Sequence, residues 1–314
     1  MESHNPNIKV IGIWTAWCKI VDRMISEWLE GVDFVAINTD LENLAIHLAD
    51  YKINIGHNLT KGLWAGGNIE IARKAAEESE HEIKEMLQDT DMVFIVCGMW
   101  GWTGSGSAPV IANMAKKMWI LTIAVVTTPF SWELHDRPWR RFNVEEGLKK
   151  IKEAVDTLIV IPIDKIFNVI DKKTTFKQAF SIIDNRLSLS VQWISDLLAK
   201  PWDIIIEFTD IKQIMKDTGN WWIWVCYSDW KDRVIKATKW AIEDFWLCND
   251  LHKAKHIILS ITAWNDINPA EIREGFSILE NIIGEQISYM CCSVYDKSYK
   301  DKVKVTIIGT WLEE

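Results

Sequence analysis

Several things are missing from this sequence, and each absence excludes something. No apolar run approaches the ~18 residues a membrane-spanning helix needs; the best, Ile120 to Val126, has the length of a strand. The stretch from Met1 to Lys9 is polar and lacks the apolar segment of an export signal. Basic excess is missing too. Lys and Arg number 35 against 44 Asp and Glu, a net charge of −9, which disfavours a nucleic-acid partner, since phosphate binding needs a basic face. The six cysteines, Cys18, Cys97, Cys226, Cys248, Cys291 and Cys292, form no spaced framework. They read as free thiols of a reducing, cytoplasmic compartment. Glycine is also scarce: 15 Gly stand against 19 Trp, although glycine is ordinarily about 7% of a chain.

What is present is a regular alternation. Short, nearly continuous apolar runs at Lys9–Ile13, Val32–Asn38, Asp91–Cys97, Ile120–Thr127 and Thr157–Ile161 are separated by helical patterns near 16–29, 70–87, up to 118, and 144–155. Strands buried on both faces and alternating with helices predict an α/β fold built on a doubly wound parallel sheet. A long helical pattern from Thr174 to Leu198 follows as a connector. Beyond Pro201 the strands near 222–227, 254–261, 287–294 and 302–308, with helices near 229–243 and 269–283, predict a smaller α/β domain on a mixed sheet. The expected boundaries are 1–173, 174–199 and 200–314.

Two segments have the layout of an anion cradle: Gly12 to Lys19 and Gly98 to Gly106 each follow a strand and open a helix. There backbone N–H groups and the helix dipole point at a phosphate, and only glycine lets the chain come close. One Gly-rich turn is a weak signal and is often an ordinary loop. A Rossmann dehydrogenase would use the first turn but has no use for the second. A zinc site built on Cys248, His252 and His256 lacks a fourth ligand.

The second segment is more informative. With glycine at Trp100 and Trp102 it becomes G-M-G-G-G-T-G-S-G, which resembles the signature loop of the tubulin/FtsZ family. The same exchange makes residues 12–17 G-I-G-T-A-G and residues 62–68 G-L-G-A-G-G-N, similar to the family's first phosphate loop and its γ-phosphate-sensing loop. Residues 125–130, 179–185, 194–197 and 305–310 resemble family segments as they stand. The resemblance spans roughly residues 8 to 312. Laid on the family pattern, thirteen of the 19 tryptophans occupy usual glycine positions. They are Trp14, Trp17, Trp28, Trp64, Trp100, Trp102, Trp119, Trp193, Trp202, Trp224, Trp230, Trp264 and Trp311. Counting them as glycine raises glycine from 15 to 28 in 314 residues, about 9% and no longer scarce. Overpacking costs ~1–3 kcal/mol per site, so thirteen genuine tryptophans would exceed the ~5–15 kcal/mol stability of a whole domain. The expectation is a decoding difference, since UGA is read as Trp in some codes and as Gly in some uncultured bacteria.

The resemblance implies a self-polymerising GTPase of bacterial cell division, with GTP/GDP and Mg²⁺ as cofactors. Gly12, Trp14, Thr15, Ala16, Trp17, Cys18 and Lys19 would form the first phosphate loop, with Gly101, Trp102, Thr103, Gly104, Ser105 and Gly106 in the second. Glu133 and Arg137 match positions near ribose and phosphate, Phe180 would stack on the base, and Asp184 would read guanine. Glu207 and Asp210 match the catalytic acids that one subunit offers to its neighbour's nucleotide. The implied partners are other copies of the chain, head to tail, and division accessory proteins at a cytoplasmic division site, with neither nucleic acid nor direct membrane insertion. Relatives typically carry a disordered tail and a recruiting peptide beyond the position of Glu314. Departures from the pattern are Lys19, Ile163 and Ile205, each where the family has Asn, Glu207 in place of Asp, and about three extra residues after Arg137. A GTP-binding scaffold with little hydrolysis is the alternative these departures favour.

Overall fold

A computed structural model of the chain describes residues 6–26, 31–136, 138–168, 170–171, 173–199, 202–204, 207–243, 254–283 and 288–311. Two compact units form, Met1–Val191 with Met215–Asp217, and Gln192–Ile214 with Thr218–Glu314.

The first unit begins with β1 (Ile8–Ile13), α1 (Thr15–Ser26), β2 (Val32–Asn38), α2 (Leu41–Ala45), β3 (Tyr51–Asn54) and α3 (His57–Thr60). It continues through α4 (Ile69–Glu78), α5 (Glu80–Met86), β4 (Met92–Gly98), α6 (Trp102–Lys117) and β5 (Leu121–Thr128). It closes with α7 (Ser131–Asp136), α8 (Pro138–Ala154), β6 (Thr157–Pro162), a 3₁₀ turn at Ile163–Asn168, and α9 (Phe176–Ala199), whose residues from Gln192 onward belong to the second unit. The strand order is β3-β2-β1-β4-β5-β6, with every pair parallel. Parallel neighbours need crossover helices, and these cover both faces. That is why every residue of β1 and of β4 is buried. Each Ile or Val so buried contributes about 1.5–3 kcal/mol relative to exposure. On α1 the buried residues Trp17, Cys18, Ile20, Val21 and Met24 recur at helical spacing and form the face laid on the sheet.

The expected doubly wound parallel sheet is the observed one. The single helix expected over 70–87 is two, because Ser79 ends α4 and begins α5 while its Oγ accepts the Gly56 N–H at 3.1 Å. Strand β3 was not expected; half of its residues are exposed at the sheet edge, so it carries no apolar run.

The second unit contains β7 (Trp202–Ile204), α10 (Phe208–Met215), β8 (Gly219–Asp229), α11 (Arg233–Glu243), β9 (His256–Ala263), α12 (Pro269–Ile283), β10 (Ser288–Tyr295) and β11 (Lys302–Trp311). Its strands run β8-β11-β9-β10-β7. β11 is antiparallel to β8 and β9, β10 is parallel to β9, and β7 is antiparallel to β10. The mixed sheet is as expected. Val234 and Ala237 of α11 pack with Leu259, Ile261, Val305 and Ile307 in its core. A buried ion pair, Lys304 Nζ to Asp196 Oδ2 at 2.5 Å, lies in this unit with both side chains under 10% exposed.

Candidate functional site

In the first sheet the strand order turns around between β1 and β4, which lie side by side with Gly12 opposite Val96. The crevice beyond the carboxyl ends of two such strands is where open α/β sheets bind ligands. Both Gly-rich segments found in the sequence lead out of this point, one from β1 into α1 and the other from β4 into α6.

The first turn is fixed by backbone bonds. Trp14 N–H donates to Ile37 O at 2.9 Å, and Cys18 N–H returns to Trp14 O at 3.0 Å. Asn38 Nδ2 holds Thr15 Oγ1 at 3.1 Å. Ala16 is half-buried and Lys19 exposed. Cys18 Sγ donates to Gly12 O at 3.2 Å, and burial pushes its thiol up to about 12, so it is a packing group rather than a nucleophile.

The second turn is tighter. Met99 N–H donates to Thr127 O, and Ser105 N–H and Oγ bond Gly101 O and Met99 O at 3.0 and 2.8 Å. Helix α6 starts with Gly101 as its N-cap and without a side-chain cap. Its first turn therefore aims backbone N–H groups of residues 102–104 out of the helix end. A Cβ on Gly104 would lie 2.5 Å from Gly98 O, so a side chain is excluded there. Thr103 and Gly106 are buried in the same turn. Neither α1 nor α6 has an acidic residue in its first turn, which keeps both positive helix ends available to an anion.

Glu133, on α7, accepts from Arg140 Nη1 at 2.7 Å. Arg140 is thus the described basic partner of Glu133, a residue the sequence reading passed over because the spacing after Arg137 is ambiguous by three. Arg137 itself lies outside the described residues. Phe180 and Asp184 are one turn apart on α9 and so share a face. Phe180 is 41% exposed, and its ring stands edge-on to Phe130 at 6.2 Å, just past the carboxyl end of β5. Phe130 also meets Trp132 and Phe167 at 5.6 and 5.5 Å, an aromatic floor the sequence reading missed. Thus both Gly-rich turns, Glu133 and Phe180 gather at the carboxyl end of one sheet.

Glu207 and Asp210 belong to the second unit. Glu207 immediately precedes α10 and is exposed; Asp210 Oδ2 accepts the Glu207 N–H at 3.1 Å, one half of a capping box. Ile205 lies outside the described residues, as do Cys248 and His252 of the zinc reading. No group of three or more His, Cys, Asp or Glu gathers among the described residues.

A profile described as Tubulin/FtsZ family, GTPase domain, matches residues 7–171. The chain belongs to the Tubulin/FtsZ family. Among solved structures it is 35% identical to an FtsZ dimer of M. jannaschii, with TM-score 0.89 over 98% of this chain and 89% of that one. A W319Y mutant of M. jannaschii FtsZ is 36% identical, with TM-score 0.89 over 98% and 92%. The fold extends to CetZ2 from Haloferax volcanii at 16% identity and TM-score 0.80, over 98% and 94%. Membership makes this a tubulin-like GTP-binding cytoskeletal protein, with GTP or GDP as its nucleotide and the GTPase domain as its first unit.

Tryptophan side chains crowd the crevice beyond β1 and β4. The Trp14 ring comes within 3.4 Å of where a Cβ on Gly101 would stand, and Trp102 within 3.3 Å of the same point on Gly67. Trp17 and Trp100 meet edge to face at 5.6 Å between centroids. Four indoles therefore crowd the two Gly-rich turns at the ends of β1 and β4.

Proposed function

We propose that the chain is a GTP-dependent, self-polymerising protein of bacterial cell division that hydrolyses GTP between subunits. The observation that carries this reading is the convergence of two Gly-rich turns on the β1–β4 reversal. In this reading those turns bind phosphate through main-chain N–H groups. Asp184 accepts from the N1–H and amino group of guanine, a pairing adenine does not offer. Head-to-tail contact, a heterologous interface that need not close, brings Glu207 and Asp210 of one subunit to the nucleotide of the next, where the carboxylates polarise the attacking water. Mg²⁺ would enter with the phosphates and supply charge neutralisation, since the described residues offer no cage of their own. Division accessory proteins and a cytoplasmic site at the septum complete the proposal.

A second reading, a GTP-bound scaffold with little turnover, is favoured by Asp210, whose carboxylate already caps its own helix. Sedimentation and phosphate release at rising concentration of the protein purified from its source cells separate the two. A turnover per subunit that climbs with concentration and collapses in Asp210→Ala supports the first. Filaments without phosphate release support the second, and a lack of both assembly and turnover removes the proposal.

A further inference from the structure

Six of the thirteen tryptophans assigned to glycine positions carry structural signs of misplacement that owe nothing to family patterns. Among the described residues eight non-glycine residues have left-handed φ, and three are tryptophans: Trp14 at 76°, Trp119 at 65° and Trp230 at 64°. The other five are four aspartates and Lys61. Aspartate tolerates this region through its short polar side chain, whereas a bulky residue is an outlier there. All three tryptophans belong to the thirteen. None of the remaining six takes that conformation among the described residues.

Indole N–H groups give a second sign. Trp17 and Trp193, both of the thirteen, are 3% and 2% exposed, yet their Nε1 atoms find no acceptor among the described residues. Buried indoles ordinarily have one. Trp221, outside the thirteen and equally buried, donates Nε1 to Thr218 Oγ1 at 2.7 Å. The Trp17 ring also lies on the bare Cα of Gly98, where a Cβ would stand 2.5 Å from its Nε1. At the other extreme Trp119 and Trp230 are each 80% exposed and Trp64 67%, so large apolar rings stand in water.

We infer that the protein made in its own cell carries glycine at these thirteen positions. The crevice beyond β1 and β4 is then lined by main chain rather than by indoles. What the opened crevice receives, the phosphates of a guanine nucleotide, rests on the function proposed above; the residue identities do not. Glycine explains the three left-handed backbones, the two orphaned N–H groups and the exposed rings with one cause.

The test is peptide mass spectrometry of the full-length protein purified from its source cells and digested with trypsin. Two peptides decide it: Val10 to Lys19, which holds Trp14 and Trp17, and Glu85 to Lys116, which holds Trp100 and Trp102. The expected masses are those with glycine at all four positions, each lighter by the difference between an indolylmethyl group and a hydrogen. Tryptophan at any of the four overturns the inference. The gene offers an independent readout, with UGA expected at the thirteen positions; UGG at any of the four crevice positions overturns it equally. Glycine in the peptides together with no affinity for GTP would leave this inference standing and remove the functional proposal, so the two failures are distinct.

Discussion

Trp230→Gly should stabilise the second unit, which is the opposite of what glycine does in most places. Trp230 follows β8 with φ 64° and is 80% exposed, its N–H bonded to Asp301 O at 3.2 Å. A non-glycine residue in the left-handed region costs ~1–2 kcal/mol, and a ring so exposed gives little burial in return. Glycine loses ~0.4–1 kcal/mol of that gain through the extra freedom of the unfolded chain, leaving a net gain of about 1 kcal/mol. Trp240→Gly is the control. It lies in the same unit, within α11, and is 50% exposed. There glycine costs about 0.5 kcal/mol of helix propensity and about 1 kcal/mol of lost burial. Urea denaturation followed by far-UV circular dichroism should move the midpoint up for Trp230→Gly and down for Trp240→Gly. In thermal melts the displacement should be about 2–4 °C upward for Trp230→Gly and about 3–6 °C downward for Trp240→Gly. A fall in both variants would show that Trp230 is a well-accommodated tryptophan and would refute the strain argument.

Three further outcomes follow from particular contacts. Asp196→Ala strands Lys304 in the core of the second unit, where both side chains are under 10% exposed; the loss should be about 3–5 kcal/mol by urea unfolding, and a loss below 1 kcal/mol would contradict it. Burial opposes ionisation of Asp266, but bonds from Arg233 and the Asp301 N–H outweigh it and hold its carboxyl below the usual range. A depressed pKa contributes stability that is complete above about pH 4 and lost as the pH falls through the folded value. The urea midpoint should accordingly decline on acidification, and Asp266→Asn should flatten part of that decline. Burial also makes the Cys18 thiol inert, so iodoacetamide at pH 8 should leave it unlabelled in the native chain and label it once urea is added.

The first sheet was legible because parallel strands covered on both faces must be apolar throughout, as Met92–Gly98 is. What escaped was set by position rather than pattern. Strand β3 is an edge with two exposed residues, and the Ser79 break depends on a bond to Gly56 that only the folded chain makes. The short elements Trp202–Ile204 and Phe208–Met215 were not among the expected strands and helices. At the site, Gly-rich turns announce themselves because their residue type is the mechanism. The Glu133–Arg140 pair and the Phe130 cluster join residues from separate elements, and spacing alone does not reveal them.

The central claim is that the crevice beyond β1 and β4 is a guanine-nucleotide site that works only with bare main chain. Calorimetric titration of GTP and ATP into two full-length chains tests it directly, one as written and one carrying Trp14→Gly, Trp17→Gly, Trp100→Gly and Trp102→Gly, both checked for folding by circular dichroism. The account predicts saturable GTP binding by the fourfold variant, no binding of ATP, and no GTP binding by the chain as written. Equal GTP binding by both chains, or none by a folded fourfold variant, would contradict it.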